Sequence, residues 1–195
     1  MKFNFEEVNR LIKTRRSVFP TDYTSERIDD SIIHQMLENA NWAPNHRFTE
    51  PWRFLVFTGE GLKKLGKIQS DIYKKVTKAD GTFTEKKYLN LLEKPMSASH
   101  IIVISMHRDP GKSVPEVEEI AAVSCAVQNM YLTATAYGVG CYWGTGGVTY
   151  FEESKEYFGL GPDDRLMGFL YVGFPKRWPD APKRGKIIDK TKWYK

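Results

Sequence analysis

Along this chain the apolar positions recur mostly at helical spacing, interrupted by short apolar runs that suit strands. Residues 5–13 (FEEVNRLIK) read as a short amphipathic helix. A clearer one follows, in which Ile28, Ile32, Ile33, Met36, Leu37 and Ala40 fall on one face. Thr24 or Ser25 can cap it, and Glu26 would sit favourably in its first turn. Pro44 closes it, because proline disfavours helical backbone at the residue before. RFLVF (53–57) reads as a strand, and more polar helical material follows from about Leu62 to Lys78 and from Thr84 to Glu93. HIIVISM (100–106) is a continuous apolar run, the pattern of a strand covered on both faces.

After the loop HRDPGKSVPE, Pro115 stands at the first turn of a helix that runs to Tyr137 and stops at Gly138. Its small residues, Ala121, Ala122, Ser124, Ala126, Ala134 and Ala136, allow close approach of another helix. GVGCYWGTGG reads as a glycine-rich turn around a short strand, YFEESKEYFGL as a brief helix stopped by Gly159, and LMGFLYVGFP (166–175) as the last strand. Helices and strands alternate without a regular βαβ repeat, which predicts an α+β layered fold rather than a doubly wound sheet. The tail from Lys176 has no period and is too polar for a core element, so it is expected to lie along a partner subunit.

Composition narrows the class. With 195 residues, 41% hydrophobic and 27% charged, the chain suits one soluble domain over 1–195 and argues against disorder. The net charge of +5 favours an anionic ligand only weakly over an ordinary basic surface. No recognisable reading element accompanies the lysines, so nucleic-acid binding is not expected. Cys125 and Cys141 form neither a disulfide framework nor a zinc spacing, which points to a reducing, cytoplasmic setting. The acidic MKFNFEEVNR start does not read as a targeting segment. Residues 120–151 carry no charge, long enough on paper to span a bilayer, yet Gln128, Asn129 and a glycine-rich end suit a helix buried on all sides in a core. No membrane association is expected.

No GxSxG, HExxH, Walker loop or post-strand GxGxxG is present, and His34, His46, His100 and His107 assemble no triad by local spacing. An enzyme with this sequence would need a cofactor to supply the reactive atom. Arg15-Arg16-Ser17 offers two guanidinium forks and a hydroxyl just after a helix, a set suited to phosphate. Lys183 and Arg184 could meet the same phosphate from the tail, and Gly144–Gly147 beside Trp143 lets backbone approach a planar ligand. Each has a plainer reading when taken alone: a solvated helix end, a basic tail and a tight turn.

Together the segments resemble the nitroreductase family of FMN-dependent NAD(P)H oxidoreductases, in chain order and across most of the sequence. RRS (15–17) is similar to the family's N-terminal phosphate-binding signature, and WAPNHRFTEPWRFLVF to its Ala-Pro segment ahead of a strand. AAVSCAVQNMYLTATAYGVGCYWGTG is similar to its central helix and flavin loop, and LYVGFP with a later PKR to its closing strand and tail. The small single-domain subgroup, with a histidine after Ala-Pro as at His46, is the nearest variant. Two departures stand out: Gly144 where that subgroup often has arginine, and Trp42 in place of an arginine that some relatives turn to the cofactor.

The resemblance implies a homodimer with FMN in two interface sites. Arg15, Arg16 and Ser17 would hold the phosphate or ring edge with Arg184 and Lys183 assisting. Trp143, Gly144 and Thr145 would line the isoalloxazine, while Trp42 and His46 would reach across from the other subunit. Pro51 and Trp52 would pack to position that crossing segment. The implied activity passes hydride from NADH or NADPH through the flavin N5 to a nitroaromatic, quinone or similar electrophile, with no obligatory acid or base side chain. The alternatives are a flavin-binding module without turnover, or an FMN-dependent reductive dehalogenase or desaturase-type relative, with residues 63–94 as its lid.

Overall fold

A computed structural model describes residues 2–195. Helix α1 (Phe5–Thr14) opens on an Asn4 cap, whose side chain accepts from the N–H groups of Glu6 and Glu7, and ends where Arg15 turns extended. Helix α2 spans Asp30–Ala40, starting four or five residues later than a cap at Thr24 or Ser25 would place it. The reason is tertiary. The Thr24 N–H donates to the Phe174 carbonyl, and the Ile28 N–H to Ser99 Oγ, so this lead-in is held extended. Asp29, whose carboxylate accepts from the Ser31 N–H, is the cap in place of Thr24 or Ser25.

Strand β1 (Trp52–Thr58) leads into α3 (Glu60–Ala79) and α4 (Glu85–Glu93), followed by β2 (His100–Met106). Then come α5 (Glu116–Ala136), β3 (Gly140–Gly144), α6 (Glu153–Tyr157) and β4 (Arg165–Gly173). The four strands form one antiparallel sheet in the order β1-β2-β4-β3. All seven residues of β2 are buried, as its unbroken apolar run predicts.

Period-two alternation sorts β2 between two cores. Ile102, Ile104 and Met106 pack with α2 and α5 on one face, while Ile101 and Val103 pack with α3 on the other. The layered α+β expectation therefore holds, with the sheet between helices.

Helix α5 differs from expectation in one respect. Nine of its residues are buried, yet Val117, Ala121, Cys125, Gln128 and Ala136 are exposed. Val117, Ala121, Cys125 and Gln128 recur every three or four residues, and half-buried Leu132 continues the row to Ala136, so they make one uncharged stripe. The absence of charge over 120–151 therefore reflects a core face and an open face, not burial on all sides. No helix among the described residues is long and apolar enough to cross a membrane.

Candidate functional site: a cationic cleft and a glycine-loop pocket

The extended segment after α1 runs alongside β3. Ser17 bridges Cys141, and the Val18 N–H donates to the Cys141 carbonyl at 2.9 Å. Gly140 makes that approach possible: a Cβ there would stand 2.9 Å from the Val18 side chain. One residue further on, the rings of Phe19 and Tyr142 lie 4.7 Å apart. The segment thus has arginines at one end and an aromatic contact at the other.

At the arginine end lies a cleft of about 560 Å³, lined by Lys13, Arg15, Arg16, Gln128 and Arg184. Arg15 sits 5.3 Å from the centroid of the Tyr131 ring. The Tyr131 hydroxyl accepts the Trp143 N–H at 2.7 Å. Burial pushes Tyr131 up to about 12, against the lowering effect of Ser17, so it stays a neutral anchor.

Arg16 is engaged differently. Its Nε donates to the Asp180 carbonyl at 3.2 Å, and Nη1 donates to the carbonyls of Lys13 and Arg15. The Trp178 indole adds a bond to the Thr14 carbonyl at 2.9 Å. These bonds fix the first part of the tail over the end of α1 and bring Arg184 to the cleft. Lys183 is exposed beside it and is not among the lining residues.

At the aromatic end a pocket of about 160 Å³ lies under the glycine loop, lined by Gly144, Gly146, Gly147, Tyr142, Tyr171 and Lys94, with Gln69 and Asn90 from α3 and α4. The Lys94 ammonium stands 5.4 and 4.9 Å from the centroids of Tyr142 and Tyr171, and burial lowers its pKa. The Gln69 Oε1 is buried with no hydrogen-bond partner. The glycines allow close packing here: a Cβ on Gly168, at φ +120°, would lie 2.5 Å from the Gly144 carbonyl oxygen. Thr145 is exposed at the loop's tip. The Trp143 side chain points to packing: its indole N–H donates to the Met167 carbonyl at 2.9 Å, and the ring lies against the α2–α5 core.

Trp42 and His46 stand outside both cavities. Trp42 is 79% exposed and lines a separate groove with Asn39, Asn129 and Thr133. His46 holds Glu118 of α5 at 2.6 Å through Nδ1. Between them and β1, Arg47, Phe48 and Glu50 all take left-handed φ values of 54°, 54° and 43°. Each costs about 1 kcal/mol or more, strain of the kind that collects where a loop must present side chains outward. Trp52 does pack as expected, buried with its indole N–H on Asn41 Oδ1, and the Pro51 carbonyl accepts the His107 N–H.

The residues present fit a flavin mononucleotide. Four cations line one cleft with no carboxylate among its lining residues, so an anion relieves their mutual repulsion. The glycine-loop pocket has room for about one ring of a tricycle, which leaves the remainder for another surface to cover. Lys13, Gln69, Lys94 and Tyr131 are the residues that sequence reasoning missed. Lys94 belongs to a run of scattered lysines with no signal that separates it from the others, and Gln69 sits in a polar helix.

The nitroreductase family model matches residues 12–174. YfhC of Bacillus subtilis strain 168, an NAD(P)H nitroreductase by name, is 31% identical over 180 residues, covering 92% of this chain and 90% of its own length. A nitroreductase-like family protein from Bacillus cereus, known from its crystal structure, superposes with a TM-score of 0.83 at 30% identity over 100% of this chain and 99% of that one. The fold also matches that of a nitroreductase-type protein from Desulfovibrio desulfuricans crystallised with FMN, with a TM-score of 0.71 at 24% identity over 96% and 95% of the two chains. With its family match covering most of the sequence and its fold shared end to end with such proteins, the chain belongs to the nitroreductase family.

Proposed function

We propose that residues 1–195 form one FMN-binding domain of a homodimeric oxidoreductase, which takes hydride from NADH or NADPH and passes it to a small electrophile such as a nitroaromatic or quinone. The observation that carries this reading is the four-cation cleft joined, through the 15–19 segment, to the glycine-loop pocket. The FMN complex of the Desulfovibrio protein and the NAD(P)H in the name of YfhC support the cofactor and the reductant. Bound FMN would supply the two-electron chemistry.

The chain's own residues bind and orient. Lys13, Arg15 and Arg184 would hold the phosphate, with Arg16 keeping the tail in place and Lys183 nearby in solvent. Ser17 and Tyr131 fix the course of the segment between the two cavities. Lys94 would place a cation beside the ring's pyrimidine end, where negative charge grows on reduction. The backbone of Gly144 and Thr145 would line one ring face. No side-chain acid or base is required, because water can supply protons.

Several exposed surfaces support the dimer. The α5 stripe is uncharged, and Trp42 and Phe48 project outward from the strained loop. Leu55 and Val56 are exposed on edge strand β1, while the tail displays Ile187, Ile188, Trp193 and Tyr194. Exposed apolar side chains of this kind would be covered in an interface between copies. A partner seated there would receive the tail and bring its Trp42 and His46 to the open side of the ring.

The test is a visible spectrum of the purified protein, repeated anaerobically after addition of NADPH or NADH. Flavin bands that bleach meet the expectation. Bands that persist favour a flavin-binding module without turnover. A colourless protein that refuses added FMN overturns the proposal.

A further inference from the structure

Helix α4 has a second polar face, outside the glycine-loop pocket. Residues 60–94 hold nine lysines against five carboxylates, so most of the chain's net charge of +5 collects on α3 and α4. Among these lysines only Lys63 and Lys67 pair with an acid, Glu60 and Asp71. A pocket of about 460 Å³ lies along α4, lined by Thr84, Lys86, Lys87, Leu89, Asn90 and Glu93. Lys87 and Asn90 also line the glycine-loop pocket, so they form the ridge between that slot and the outer pocket. The Lys87 ammonium stands 5.0 Å from the centroid of the Tyr73 ring, whose hydroxyl accepts the Thr84 N–H at 3.1 Å. The ring holds the ammonium in place but accepts no ordinary hydrogen bond, which leaves its three donors for another acceptor. Glu93 lies about 9 Å further along the helix, so its repulsion of an anion seated at Lys86 and Lys87 is weak beside their attraction.

We propose that the outer pocket of α4 is an oxyanion subsite for the electron acceptor, in which Lys87, with Lys86 beside it, holds the carboxylate of an acidic aromatic electrophile. This rests on the proposed flavin chemistry and deepens it by naming the class of acceptor that the site prefers. An acceptor stacked at the mouth of the slot lies next to the ridge, and a single aromatic ring with a carboxylate at its end reaches from one to the other. Asn90 offers an amide on the same ridge, and Leu89, 42% exposed, gives the ring an apolar surface to rest on. The phosphates of NADPH share this oxyanion chemistry, so the experiment has to separate acceptor from reductant.

The test uses the flavin-loaded protein with saturating NADPH and two acceptors of equal size, 4-nitrobenzoate and its neutral amide, 4-nitrobenzamide. The two differ in intrinsic reactivity, so the readout is the change in the ratio of their kcat/KM values from parent to variant. Lys87→Gln should lower the nitrobenzoate-to-nitrobenzamide ratio about fivefold, the scale of one exposed ion pair, chiefly through the KM for nitrobenzoate. Lys87→Arg should restore the ratio, and high salt should bring the parent toward the glutamine variant. Lys75→Gln removes the same charge from an exposed position on α3 outside both pockets and should leave the ratio unchanged. A ratio that stays put in Lys87→Gln, or moves as far in Lys75→Gln, overturns the proposal and leaves the flavin reading intact. A rise in the KM for NADPH alone assigns the pocket to the reductant's phosphates and overturns it equally. So does flavin that bleaches but reduces neither nitro compound. Flavin that neither binds nor bleaches overturns the proposed function as well.

Discussion

Replacing Arg15 with alanine separates a ligand-binding arginine from a structural one. Arg15 lines the cleft with Lys13, Arg16 and Arg184, and its main contact within the fold is the Tyr131 ring at 5.3 Å. A cation over an aromatic face near the surface contributes about 0.5–1 kcal/mol, and removing one of four like charges returns part of that. The flavin-free Arg15→Ala protein should therefore melt within about 4 °C of the parent. The phosphate contact is larger. A charge pair at contact is worth about 4 kcal/mol at intermediate dielectric before desolvation, and the net value of a hydrogen bond to a charged group is about 1.5–3 kcal/mol. The FMN dissociation constant should rise about 10- to 150-fold, measured by quenching of flavin fluorescence at fixed ionic strength. An affinity within threefold of the parent would refute the phosphate assignment. Arg16→Ala is the contrasting case: its donors already serve the Asp180, Lys13 and Arg15 carbonyls, so its loss should first free the tail, seen as faster proteolysis beyond Lys176.

Three further outcomes follow from the geometry. Ala121→Arg places a charge in the middle of the uncharged α5 stripe and should convert a dimer to monomer by light scattering; an unchanged dimer would move the interface elsewhere. Gly66→Ala would ordinarily help a helix by about 1 kcal/mol. Here its Cβ would lie 2.2 Å from the Leu92 carbonyl oxygen, so a net loss of about 1–3 kcal/mol is expected in urea unfolding. Burial holds His100 below its ordinary range, despite the opposing bond to Asp30, so the unfolded chain takes up that proton more readily. Stability should decline as pH falls below about 6.5 toward the lower folded value. It should fall further in acid, below about pH 4, as Asp109 and Glu116 lose the side-chain hydrogen bonds to Ser113 and Arg165 that hold them low. Thermal midpoints that stay flat from pH 7 to 5 would contradict the histidine limb, and His100→Asn should remove it.

Local chemistry wrote the elements into the sequence wherever it acts over a few residues. The five apolar residues of β2 and the left-handed Gly138 after α5 needed no distant partner to specify them. The phosphate chemistry of Arg15 and Arg16 was equally legible, because a guanidinium carries its preference in any setting. The start of α2 was not, since the bonds that hold residues 24–28 extended come from Phe174 and Ser99. Nor could the uncharged run of α5 tell a core face from an open one, because both reward the same apolar residues. The second half of the site was decided by tertiary structure alone. Lys94 resembles every other lysine until β3 and β4 set two tyrosines beneath it, and Gln69 resembles any polar helix residue until α4 closes over it. Burial turns an ordinary amide into an unpaired acceptor, and burial belongs to the packed fold rather than to the residue.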